Sequence, residues 1–143
     1  MGSFTEVARL AEIPDGGMTQ VSVRSWVRTR QARDLIGSDG DLALRFIRLE
    51  LLLQDIWHAP FATMALAHGA CYGAAADIVA SCNRRVAAPG TTFRMPGLAF
   101  GVSLGTRRLA AVVGADAARG LLETSPVFDA NEALACRFLT GIR

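Results

Sequence analysis

Residues 61–82 read FATMALAHGACYGAAADIVASC, and the fold follows from this stretch. Its opening, 61–67, is uncharged and of strand length, as a strand buried on both faces requires. Residues 68–73 are small and glycine-bearing, which reads as a turn. From 74 to 82 nearly every residue is small and apolar, which reads as a buried helix. RVAA at 85–88 and TTFRM at 91–95 are two short strands parted by the Pro89-Gly90 turn, and Pro96-Gly97 breaks the second. Strand, turn, buried helix and strand again make a βαβ unit, so the chain is of the α/β class.

Downstream, a helix is expected over 104–113, ended by Gly114. Another follows over 115–124, and helical turns over 131–139 close the chain. Upstream, Ser38-Asp39-Gly40-Asp41 is a loop with an N-cap candidate. A strong helix runs from it to Trp57, with Leu42, Phe46, Leu49, Leu53 and Ile56 along one stripe. His58-Ala59-Pro60 ends that helix, because the residue before a proline is pushed out of the helical region. Residues 4–13 have a helical apolar face, closed by Pro14-Asp15-Gly16-Gly17. Residues 18–37 fit strand and helix patterns equally. No repeat or low-complexity linker interrupts the chain, which reads as one domain.

The composition narrows the function. The chain has 143 residues, 51% hydrophobic and 20% charged, with a formal net charge of +2. That balance argues against a dedicated nucleic-acid binder or a polybasic membrane protein. All 15 basic residues are arginine, so no lysine of this chain forms a Schiff base. Cys71, Cys82 and Cys136 are odd in number and lack metal-ligand spacing, so they read as buried free thiols rather than zinc ligands or a disulfide framework. Glu6 and Arg9 stand where a signal peptide would be apolar, and no apolar run approaches the ~20 residues of a membrane span. A soluble cytoplasmic protein is expected.

Asp77 is the one acid between Asp55 and Asp116, and it is embedded in GAAADIVASC. A carboxylate among apolar neighbours is desolvated, hydrogen-bonded or both, and burial raises its pKa. General acid-base chemistry uses carboxyls in that state. The structural alternative is an Asp that caps a turn or pairs with Arg84 or Arg85. Before it, Gly73 and Ala74 open a helix whose first N–H groups have no intrahelical acceptor and suit a developing oxyanion. Tight packing against a strand is the plainer account of the same residues. Arg84, Arg85, Arg94, Arg107 and Arg108 fill an acid-free stretch. They suit either an anionic cofactor's phosphates or a solvated face with salt bridges to acids of the helix at 41–57. His58 reads as a helix-end residue and His68 as a turn residue.

At these residues the sequence resembles the crotonase superfamily, the enoyl-CoA hydratase/isomerase family. The resemblance covers about 58–142, from the proline-led strand through HGACYGAAAD, RVAAPGTTFRMP, the Leu104-Gly105 turn and FDANEALACRFLTGI. It implies a ClpP/crotonase spiral core, an acyl-CoA substrate with no further cofactor, and a homo-oligomer, trimer or hexamer. It also places the second oxyanion N–H on Ala74, beside Gly73, and the first hydratase carboxylate on Asp77 in place of Glu. The second carboxylate position falls on Gly97. That departure points to isomerase-like or other proton transfer through an enolate rather than two-carboxylate hydration. The family's first oxyanion loop would precede Met1, and its C-terminal helices would follow Arg143, so the sequence resembles the middle of such an enzyme. The alternative is a non-catalytic homologue or interaction subunit. An unpaired sheet edge and the apolar helix at 42–57 also favour self-association.

Overall fold

The computed structural model describes residues 21–23, 39–101 and 105–143. Among the described residues, seven short strands form two sheets. The first is wholly parallel, in the order β1 (Val21–Val23), β2 (Met64–Ala67), β4 (Arg84–Ala87) and β7 (Gly141–Ile142). The second has the order β3 (Ala70–Tyr72), β5 (Thr92–Arg94) and β6 (Phe128–Asp129), with β3 parallel to β5 and β6 antiparallel to it. Five α-helices lie among the described residues: α1 (Asp39–Trp57), α2 (Ala74–Ser81), α3 (Thr106–Val113), α4 (Ala115–Thr124) and α5 (Ala130–Ala135). The chain gives a strand to each sheet in turn, β2 then β3, passes through α2, and repeats with β4 and β5. That winding is the spiral expected from the resemblance.

The strand expected at 61–67 begins at Met64, because Thr63 is tied across to Asn83. Its N–H and Oγ1 both donate to Asn83 Oδ1, at 2.9 Å each. The strand at 85–88 is found at 84–87, and the one at 91–95 at 92–94. The helix expected to 82 stops at Ser81, where Cys82 turns extended (φ −86°, ψ 150°). The helix expected from 104 starts at Thr106, after a left-handed Gly105; residue 104 lies outside the described residues. The helical turns expected over 131–139 are α5, which starts one residue earlier and ends at Ala135. Its start is a capping box: Asp129 Oδ1 accepts from the Glu132 N–H, and Glu132 Oε2 accepts from the Asp129 N–H.

The turn expected at 68–73 needs a larger correction, because it contains β3. Ala70, Cys71 and Tyr72 pair with Thr92, Phe93 and Arg94. Gly69 and Gly73, both at positive φ, bracket three small or half-buried residues, too few to show an alternating pattern. Upstream, α1 begins at Asp39 within the expected loop. β1 lies in the ambiguous 18–37 segment, and the helix expected at 4–13 lies outside the described residues.

The core is continuous. Phe93, Phe128 and Phe138 pack ring against ring, with centroids 5.1–5.6 Å apart, and Val79, Ala76, Leu109 and Leu139 close around them. Helix α1 buries Leu53 and Ile56 as its stripe requires, with Phe46 and Leu49 half-buried. Its other side exposes Leu44, Ile47 and Leu51. No described helix is long and apolar enough to cross a membrane.

Candidate active site

The site is built at the start of α2. Gly73 takes φ 57° and ψ −123°, a backbone conformation that L side chains avoid, while the space its Cβ would fill is open. Its N–H donates to the Arg94 carbonyl of β5 at 2.9 Å, and its carbonyl accepts from the Asp77 N–H at 3.0 Å. That second bond is the first of the helix. The N–H groups of Ala74, Ala75 and Ala76 therefore precede the helical ladder, at the positive end of the helix dipole. Ala74 is exposed, whereas Ala75 and Ala76 are buried.

Asp77 lies three residues beyond Ala74, on the same helical face. Its backbone carbonyl accepts from Ser81 Oγ at 2.8 Å. Its carboxyl reaches across to the cap of α3: a Cβ added to Gly105 would sit 2.6 Å from Asp77 Oδ1. Desolvation pushes the Asp77 pKa up from 3.8 to about 7, with Arg108 opposing the rise and Glu50 adding to it. A carboxyl in that range both gives and takes a proton near neutral pH.

The pairing of Asp77 with Arg84 or Arg85 is not what the structure shows. The Arg85 guanidinium donates to backbone carbonyls: Phe138 at 2.6 Å, Cys82 at 2.9 Å, Asn83 at 3.2 Å and Arg137 at 3.4 Å. It clamps the chain's last segment to β4. Arg84 is exposed. Arg94 Nε donates to the Ser125 carbonyl at 3.0 Å. Arg108 takes the salt-bridge alternative, to an acid of α1: its Nη1 and Nη2 bind Glu50 Oε1 and Oε2 at 3.0 and 2.6 Å. That pair holds the Glu50 carboxyl below its ordinary pKa. His58 sits at the end of α1 with Nδ1 3.0 Å from the Gln54 carbonyl, and His68 is exposed between β2 and β3. Cys71 and Cys82 are buried free thiols, raised in pKa by desolvation, and Cys136 is half-buried. Position 97 opens a 3-10 turn, Gly97–Phe100, and offers no side chain to the site.

Sequence reasoning missed Gly105 and Glu50. A glycine before a helix signals only a cap, and nothing local ties it to an acid 28 residues earlier. Gly105→Ala is expected to cost roughly 1–2 kcal/mol, because φ is 69° there, and to displace the Asp77 carboxyl. Thermal melting and the titration midpoint of the Asp77 carboxyl, measured on the same variant, check both parts.

No protein-family model matches the chain. Solved structures do. A Bordetella parapertussis protein described as an enoyl-CoA hydratase/isomerase shares 47% identity over 74% of this chain, with a TM-score of 0.73. An enoyl-CoA hydratase/isomerase family protein of Silicibacter pomeroyi shares 28% over 68%, with a TM-score of 0.63. A third, from Legionella pneumophila, shares the fold at 22% identity over 80% of the chain, with a TM-score of 0.70. The present chain spans 44%, 43% and 45% of these proteins, respectively. With the spiral of paired strands and the matching order of its motifs, this chain has the fold of enoyl-CoA hydratase/isomerase (crotonase) family proteins and is similar to them in sequence, over less than half the length of the proteins it matches.

Proposed function

We propose that this chain acts on an acyl-CoA thioester by proton transfer through an enolate. The observation that carries the reading is the placement of Ala74 and Asp77 one helical turn apart, with the carboxyl poised near neutral pH. The ionised Asp77 carboxylate takes the proton from C2 of the acyl group. The C–H electron pair forms the C1–C2 double bond, and the thioester π pair moves onto its oxygen. The Ala74 N–H donates to that oxyanion, helped by the dipole of α2. Return of the proton to C2 regenerates the substrate; in an unsaturated acyl chain its return further along moves the double bond. Gly97 supports this isomerase-like course over hydration, which needs a second carboxylate to activate water. The reading includes self-association, supported by the exposed stripe Leu44, Ile47 and Leu51 on α1.

The test is solvent exchange at C2. Purified chain mixed with an acyl-CoA in deuterated buffer should wash deuterium into C2, followed by NMR. Binding without exchange would favour the non-catalytic homologue, and absence of both would remove acyl-CoA from the account.

A further inference from the structure

Three charged groups converge where α1, α2 and α3 meet, and only Asp77 is used by the chemistry above. Arg108 is 7% exposed, and both of its terminal nitrogens are committed to Glu50. Its Nε is buried and has no hydrogen-bond partner. Arg108 and Gly105 are three residues apart at the start of α3, hence on one face, and Asp77 Oδ1 lies against Gly105. Arg108 is therefore rooted one helical turn from Gly105, against which the carboxyl lies, yet its guanidinium bonds another acid.

We propose that the Glu50–Arg108 pair is a positioning device for Asp77: Glu50 holds the guanidinium and keeps it from pairing with Asp77, which leaves the carboxyl free to move a proton. The proposal rests on the reading of Asp77 as the proton-transfer group. An arginine paired directly with Asp77 would hold it ionised and make it a poor acid. Arginine is suited to such capture because its fork binds a carboxylate through two nitrogens. Glu50 occupies both terminal nitrogens with matching geometry. The opposing influences of Arg108 and Glu50 on the carboxyl agree with this arrangement. The other elements packed on α2 are β2 and β3. Their titratable side chains are Cys71, a buried thiol whose Sγ donates to the His68 carbonyl at 3.7 Å, and Tyr72, whose hydroxyl lies 3.4 Å from Thr92 Oγ1.

The experiment is a carbon-13 NMR titration of the Asp77 carboxyl in the full chain without acyl-CoA, assigned by its loss in Asp77→Asn. In Glu50→Gln the freed guanidinium is expected to engage Asp77, lowering its midpoint by about one unit or more, a tenfold loss of proton affinity. In Arg108→Gln the cation is gone and Glu50 remains, so the midpoint is expected to rise. The double variant should return to within about half a unit of the wild type. A folded Glu50→Gln with an unmoved or raised midpoint overturns the proposal. If Glu50→Gln does not fold, Arg108→Gln decides, and an unmoved midpoint there overturns it. Absence of C2 exchange in the wild type would remove the proposed function while leaving the titration coupling intact. An unmoved midpoint with exchange present would remove the positioning role alone.

Discussion

Asp77→Asn is expected to slow C2 exchange by ~10²–10⁴-fold and, at about pH 8, to raise the melting temperature. The two effects have one cause. Burial against the Gly105 cap penalises the charged carboxylate, which raises its pKa to about 7. The folded state therefore binds this proton more tightly than the unfolded chain does. Stability from this group is present in full below the ordinary value near 3.8 and is lost as pH rises through about 7. At about pH 8 the ionised carboxylate opposes folding by up to about 4 kcal/mol, a penalty that a neutral amide of the same shape avoids. At about pH 4 both forms are neutral, and the variant should melt close to the wild type. Melting curves at the two pH values, with exchange rates on the same samples, check the whole claim. A fall in melting temperature at the higher pH would make Asp77 a structural partner. Unchanged exchange would end its catalytic role.

Phe93→Ala is expected to be the most damaging single change to the fold. Phe93 is fully buried on β5, with Phe128 and Phe138 packed against it at 5.6 and 5.1 Å. Truncation of a buried phenylalanine costs roughly 3–5 kcal/mol, and the ring contacts add about 0.5–1.5 kcal/mol each. Domains have only about 5–15 kcal/mol in total, so the melting temperature should fall by at least ~10 °C or the transition should vanish. The site should suffer with it. The next residue on β5, Arg94, accepts the Gly73 N–H that sets the start of α2. Circular dichroism melts read the stability. A loss below ~5 °C would mean that the three rings do not share one core.

The parts of this protein that were legible in the sequence are those written locally. The helix at 115–124 lies between Gly114 and Ser125 as the pattern of small and charged residues requires, since a helix ends where its backbone must turn left-handed. The strands near 64–67 and 84–87 were legible because each is a short run bounded by turn residues, but neither is buried on both faces as the sequence suggested for the first, since Leu66 and Arg84 are exposed. Asp77 was legible because an acid in GAAADIVASC has no local means of solvation. The three-residue strand β3 was not, because its hydrogen bonds come from β5, twenty-two residues later, and its own side chains carry no period. Nor was the partner of Arg108 open to choice from the sequence, where several acids on α1 competed. Local propensity and burial determined which segments are strands and helices and that Asp77 would be a strained acid. Only the tertiary structure decided that Gly105 leaves room for its carboxyl and that Glu50, 58 residues from Arg108, takes the guanidinium, because contacts of that span depend on how helices pack and leave no mark on neighbouring residues.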